Sequence, residues 1–246
     1  MSRAMLIEPT LDRLMALGLY GMHAGLQQQL ANPQFAELAF EDRLALLLDQ
    51  EWAARQTVRT TRLVKAAHFH QGATVEAIDF SKSRNLERSL VLQLANADWV
   101  GRAQVAVVAG PTGAGKSFLA CALGQAACRH GFTVRYERLS RLLFALTLAQ
   151  ADGSYPKVLA NLARVQLLIL DDWLRDPLSP TQARDLLELL DDRYRRTATL
   201  IATQLPLTEW HARFPDPTIA DAILDRLVHN AFRLDLKGES MRKNLT

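Results

Sequence analysis

The stretch Gly110-Pro111-Thr112-Gly113-Ala114-Gly115-Lys116-Ser117 constrains this chain more than any other, because of what flanks it. Ala106-Val107-Val108-Ala109 before it is a short apolar run of strand character, and Phe118-Leu119-Ala120-Cys121-Ala122-Leu123 after it reads as helix. Strand, then G-x-x-x-x-G-K-[ST], then helix is the setting of a phosphate-cradling loop. The glycines let backbone N–H groups turn inward on an anion with no Cβ in the way. The helix N-terminus adds its partial positive charge. In such a loop Lys116 reaches the β- and γ-phosphates, and the Ser117 hydroxyl sits on Mg2+. The pattern predicts a nucleoside triphosphate site over Gly110, Pro111, Thr112, Gly113, Ala114, Gly115, Lys116, Ser117 and Phe118.

From Gln104 onward apolar runs alternate with helical patterns: strands over 105–108, 133–136, 165–170, 199–203 and 232–236, with helices between them. This alternation predicts an α/β fold, a parallel sheet with helices on both faces and ligands at the carboxyl ends of the strands. Leu167-Leu168-Ile169-Leu170 then delivers Asp171 and Asp172 to the same end as the glycine-rich loop. Asp171 is placed to hold Mg2+ through its water shell, and Asp172 to orient or deprotonate an attacking water. Without the upstream loop, a strand-end turn carrying two acids would be the better reading. Gln204 follows the strand Leu200-Ile201-Ala202-Thr203, where its amide can bridge a γ-phosphate and the lytic water or be an ordinary strand-end polar group. Arg226, within Ile223-Leu224-Asp225-Arg226-Leu227, is a candidate for an arginine supplied across a subunit boundary. It reads equally as a surface partner of Asp221 or Asp225, and Arg193, Arg195 and Arg196 are alternatives for the same role.

The first eighty residues are of another kind. Leu11, Met15, Leu19, Met22, Leu26 and Leu30 form one helical stripe from just after Pro9 to Pro33. Gly18, Gly21 and Gly25 weaken it by up to about 1 kcal/mol each relative to alanine, which implies close packing against a neighbour. A long helix is expected from about Glu41 to Phe69. No acid occurs between Glu51 and Glu76, while Arg55, Arg59, Arg62 and Lys65 fall along one side of that helix. Like charges four apart cost helix stability unless a polyanion offsets them, so the ridge is read as tracking a phosphate backbone rather than as a solvated face. His68 and His70 read as helix-end residues, and Gln71 to Arg88 as a linker, with domains over 1–80 and 81–246.

Composition excludes little beyond this. At 246 residues, 49% hydrophobic and 22% charged, the chain can bury a sizeable core, and its net charge of +3 is mild. No apolar run approaches the ~18 residues of a membrane span. No leader pattern opens the chain, and Cys121 and Cys128 on one expected helix read as small buried thiols, so a cytoplasmic location is expected.

With these residues in hand, the chain resembles the IstB-like AAA+ ATPases, transposition helpers encoded beside the transposase of bacterial insertion sequences. It is similar more distantly to DnaC-type helicase loaders and DnaA-type initiators. The resemblance runs over nearly the whole chain: Leu17–Met22, the segment LLLDQEWAARQTVRTTRLVKAAHF, the glycine-rich loop, Asp171-Asp172, LPLTEW, AILDRLVH and GESMR. It implies a P-loop NTPase with an AAA+ core, preceded by a small all-α domain that binds DNA and oligomerises; as a departure, only four residues follow Arg242, so no C-terminal lid domain of the kind most AAA+ proteins carry is expected. It implies ATP and Mg2+ as cofactors, ATP between subunits of a homo-oligomer, and double-stranded DNA and a partner transposase as partners. Lys116 and Ser117 then belong to Walker A, Asp171 and Asp172 to Walker B, Gln204 is sensor 1, Arg226 the trans arginine finger, and Arg242 a sensor 2 arginine. Gln204 is a methylene longer than the more common Asn, and Asp172 is shorter than the Glu usual across AAA+ proteins, which points to slow hydrolysis. A helicase loader is the alternative function. A small-molecule kinase is disfavoured, since nothing resembles an acceptor pocket or an arginine-rich lid. Arg138, Arg141 and Lys157 are further basic residues considered for DNA, with simple exposure the better reading of each.

Overall fold

The computed structural model describes residues 7–81 and 85–238. The chain divides into two compact units, residues 1–62 and 63–246.

The first unit holds α1 (Ile7–Ala16), α2 (Tyr20–Ala31), a 3₁₀ turn (Pro33–Glu37) and most of α3 (Phe40–Ala67). The single stripe expected from Pro9 to Pro33 is therefore two helices. They part at Gly18, whose φ of +70° is open to glycine and breaks the helical run. Pro9 lies inside α1, in the first turn, where its missing N–H costs no bond. Gly21 and Gly25 are where α2 meets α3. A Cβ on Gly21 would lie 2.5 Å from the Gln50 carbonyl oxygen and the Glu51 Cα, and one on Gly25 1.9 Å from Gln50 Oε1. Glu51 completes the contact. Its Oε2 accepts the Gly21 and Met22 N–H groups at 2.8 and 3.2 Å, capping a helix whose own N-cap, Leu19, has no side-chain acceptor. Among the described residues, no apolar side chain of this unit is fully buried, and Leu44, Leu48 and Trp52 lie exposed four residues apart along α3.

The second unit begins inside α3. Leu63, Val64, Ala67, Phe69, Ala73, Ile78 and Phe80 all join its core, so the compact division falls after Arg62 and not near residue 80. The segment expected as a linker is held down by these few apolar residues, and a Cβ on Gly124 would lie 2.6 Å from the Phe69 ring. There follow α4 (Arg88–Ala95), α5 (Asp98–Gly101), β1 (Val105–Ala109), α6 (Lys116–Arg129), β2 (Val134–Arg138), α7 (Leu139–Asp152), α8 (Tyr155–Arg164), β3 (Leu167–Asp171), α9 (Pro180–Arg193), β4 (Ala198–Thr203), α10 (Pro217–Val228) and β5 (Phe232–Asp235). The five strands are parallel in the order β2-β3-β4-β1-β5.

Alternation along each strand serves two cores. Ala106, Val108, Leu167, Ile169, Leu200 and Ala202 face the layer of α4, α5 and α6, while Val107, Leu168, Leu170 and Ile201 face α7 to α10. Strands buried on both sides explain the unbroken apolar runs of the sequence. Helix α9 opens on a capping box, Ser179 with Gln182, and Pro180 occupies its first position. No helix among the described residues is long and apolar enough to cross a membrane.

Candidate nucleotide site

The glycine-rich loop leaves β1 at the carboxyl edge of the sheet and enters α6. Gly110, Gly113 and Gly115 adopt φ of +151°, +83° and +94°, which side chains with a Cβ rarely do. Gly110 has a second reason to be glycine. Leu236, just past β5, places its carbonyl oxygen 2.6 Å from where a Cβ would be, and Leu236 N–H donates to the Ala109 carbonyl at 2.8 Å. The loop is thus braced by the exit of the last strand. Ala114 is fully buried beneath it. Phe118 packs against the core, leaving its backbone to the loop. Lys116 folds back, its Nζ donating to the Pro111 carbonyl at 2.9 Å. This cradle of backbone N–H groups at the start of α6, with lysine and serine at its mouth, fits a triphosphate.

The same edge receives the other residues singled out in the sequence. Asp171 ends β3 and is 2% exposed. Its Oδ2 accepts the Tyr136 hydroxyl at 2.5 Å and its Oδ1 the Asp172 N–H at 2.8 Å. Burial, then the Asp171 carboxylate, pushes the Tyr136 phenol well above its ordinary range, so the hydroxyl remains a donor. Asp172 turns through the left-handed region at φ +55°, a conformation that aspartate tolerates better than most residues. Trp173 N–H then donates to the Ala202 carbonyl at 3.0 Å and Thr203 Oγ1 to the Trp173 carbonyl at 3.1 Å, stitching the acidic turn to β4. Because β4 ends one residue before Gln204, that stitch sets the amide beside the loop, where Thr112 Oγ1 donates to Gln204 Oε1 at 2.8 Å. Loop, acid pair and amide share one edge. Ser117 lies in the first turn of α6 and Asp171 ends β3, and the oxygen chemistry of both suits a hard cation such as Mg2+.

Arg138 shows what spacing alone misses. Considered above only as a surface cation, it ends β2 with Nε 3.9 Å from Asp172 Oδ2 and Nη2 2.8 Å from His70 Nε2. The register of β2 against β3, pairing Arg138 with Asp171, brings it there.

Arg226 lies elsewhere. It lines a cleft of about 480 Å³ with Gln104, Val105, Thr199 and Phe232, the residues that begin β1, β4 and β5. That is the amino edge of the sheet, a strand's length from the glycine-rich loop, or roughly 13–17 Å at ~3.3 Å per residue. Its ion pair is with Asp191 of α9, not with Asp221 or Asp225. Asp221 instead faces His211 Nε2 at 3.3 Å. Of the alternatives, Arg193 is 1% exposed and spends its donors on Leu162, Val165, Ala198 and Thr199, so it is a structural clasp. Arg195 and Arg196 are exposed. Arg242 lies outside the described residues.

On α3, Arg55, Arg59, Arg62 and Lys65 are all exposed. Arg55 Nε donates to Glu51 Oε1 at 2.6 Å, and that bond, with the Gly21 and Met22 N–H groups, holds the Glu51 carboxyl below its usual range.

The chain matches the family model of the IstB-like ATP binding protein over residues 12–246. A protein of Sinorhizobium fredii, named as an insertion sequence ATP-binding protein, is 45% identical over 240 residues and covers 98% of each chain. The insertion sequence IS1162 ATP-binding protein of Pseudomonas fluorescens is 40% identical over 219 residues, 87% of this chain and 95% of that one. Among solved structures, DnaI superposes with a TM-score of 0.59 at 15% identity over 72% of this chain and 93% of its own. The DnaC helicase loader gives 0.51 at 19% identity, over 70% and 98%. These two likenesses are of fold. The sequence matches carry the family, and the chain belongs to the IstB-like ATP-binding proteins of insertion sequences, P-loop ATPases of the AAA+ type.

Proposed function

We propose that this protein is an ATP-dependent helper of transposition that assembles on duplex DNA with ATP at each subunit seam, remodels that DNA and recruits or activates its partner transposase. The observation that carries this reading is the separation of Arg226 from the glycine-rich loop by the length of the sheet. An arginine so placed serves a phosphate only on a neighbouring copy, where it offsets the charge spread over the transferring phosphoryl. The first unit supports self-association independently, since it leaves Leu44, Leu48 and Trp52 uncovered. Arg55, Arg59, Arg62 and Lys65 are the proposed DNA contacts, and phosphate contacts of this kind carry little base preference.

In the chemical step, Lys116 exchanges the Pro111 carbonyl for the β- and γ-phosphate oxygens. Ser117 and Asp171 would hold Mg2+, which would supply charge neutralisation when bound. Asp172 orients or deprotonates the attacking water, and Gln204 fixes it against the γ-phosphate. The short reach of Asp172 makes hydrolysis slow, a timer for the assembly. Arg242 is assigned to sensor 2 on the motif alone. The loader alternative rests on fold likeness, whereas the relatives by sequence are insertion-sequence proteins.

The test is electron microscopy of the full chain with duplex DNA and a non-hydrolysable ATP analogue, beside Lys116→Ala. Ordered particles that need nucleotide and vanish in the variant are expected. Assembly that is indifferent to nucleotide and to Lys116 overturns the proposal.

A further inference from the structure

The surroundings of Arg226 say how it is kept before a neighbour arrives. Its Nε faces the Asp191 carboxylate as an ion pair but finds no aligned hydrogen bond, and Nη1 donates to the Ala222 carbonyl of its own helix. The guanidinium carbon lies 5.8 Å from the centroid of the Tyr194 ring, and that of Arg195 lies 5.0 Å from the same ring. Asp191 and Tyr194 belong to the last turn and cap of α9, and Arg226 to the last turn of α10. The Arg226 side chain is 26% exposed and lines the cleft, with its Nε buried against Asp191, whose own side chain is 46% exposed.

The two contacts differ in kind. A carboxylate competes with phosphate for a guanidinium, because both are anionic acceptors for the same fork of donors. A ring face does not compete; it keeps the guanidinium plane in place while leaving its edge free to donate. Phosphate carries more charge than a carboxylate, and an ion pair half open to solvent at its carboxylate and without an aligned hydrogen bond is weak.

The geometry points to a release catch: Asp191 stands in for phosphate while the subunit is free, the neighbour's triphosphate displaces it when a seam forms, and Tyr194 is the positioning residue that holds Arg226 through the exchange. This rests on the reading of Arg226 as an arginine acting in trans. Each seam then costs one displaced carboxylate, which sets the protein concentration at which hydrolysis switches on. Asp191 is a brake on assembly-dependent turnover.

The experiment measures ATPase rate against protein concentration for the full chain on duplex DNA. Arg226→Ala is expected to lose the concentration-dependent rate. Asp191→Asn, which keeps shape and removes charge, is expected to reach half-maximal rate at about 3- to 5-fold lower protein concentration, the size of one weak ion pair. Tyr194→Leu is expected to lower kcat with KM for ATP unchanged, and Tyr194→Phe to restore it. A merely structural role for Asp191 cannot produce a gain. If Arg226→Ala keeps the parent's rate, the trans reading falls and the catch with it. If Arg226→Ala loses it while Asp191→Asn follows the parent's concentration curve, the catch alone is overturned.

Discussion

Replacing Arg193 should show lysine to be no conservative substitute. The guanidinium is 1% exposed and has no carboxylate partner among the described residues. Nη1 donates to the carbonyls of Leu162 at 2.6 Å and Val165 at 2.9 Å, Nη2 to that of Ala198, and Nε to Thr199 Oγ1 at 3.3 Å. It therefore closes the orphaned end of α8 and ties it to the start of β4. Burial pushes its pKa down to about 9, and at ~1.4 kcal/mol per pKa unit the buried charge costs on the order of 4–5 kcal/mol. The Ala198 carbonyl keeps its place in the β3–β4 ladder, whereas the Leu162 and Val165 carbonyls without a donor cost ~1–3 kcal/mol each, or ~2–6 kcal/mol together. Arg193→Met forfeits the bonds but also removes the buried charge, so the two nearly cancel, leaving the variant between ~3 kcal/mol more stable and ~2 kcal/mol less stable than the parent. Arg193→Lys keeps the charge and loses the planar fork, for a loss of ~3–6 kcal/mol. Urea unfolding of both variants without nucleotide reads the order directly. A lysine variant within ~0.5 kcal/mol of the parent, or clearly more stable than the methionine one, refutes the reasoning.

Neutralising Arg59 and Arg62 together should lower the slope of log affinity against log salt by ~2 on duplex DNA, measured by fluorescence anisotropy, whereas an unchanged slope makes the ridge surface only. Burial pushes Cys121 up to about 11 and Cys128 up to about 12, so neither thiol should react with iodoacetamide at pH 8 until the chain unfolds. Both folded values are raised, so the unfolded chain loses those protons first, and stability should fall as pH climbs from about 9 to 11. Gly21→Ala puts a methyl against the backbone of Gln50 and Glu51, which cannot rotate aside, and should cost ~1–3 kcal/mol, visible as faster proteolysis of the first 62 residues. Gly18→Ala meets nothing within 4 Å and should cost only the strain of its positive φ, up to about 1 kcal/mol.

What could be read ahead of the structure was whatever chemistry forces into one short stretch. A phosphate cradle needs glycines, lysine and serine at fixed spacing, and only with that cradle upstream does a buried strand ending in two acids point to the same site. Their meeting at one edge followed from the parallel alternation. Features made by distant segments were hidden. Arg193, Arg195 and Arg196 look alike in the sequence, and only the burial of the last turn of α9 sends the first of them inward. Arg138 reached Asp172 through strand register, which no local pattern encodes. The segment after α3 passed for a linker because Ala73, Ile78 and Phe80 show no period, although each is tied into the core. Helices α4 and α8 did carry signals: Leu90, Val91 and Leu94 at helical spacing in one, Ser154 ahead of Pro156 in the other.

The two edges of the sheet also give any assembly of this kind an arrow. In the proposed assembly one edge of each copy would offer a loaded phosphate cradle and the opposite edge an arginine, so copies would add head to tail. An open string leaves one cradle without its arginine at the first copy and one arginine idle at the last. Closing the circle abolishes both. The number of competent sites per copy, falling short of one or reaching it, therefore tells a string from a ring without an image of either.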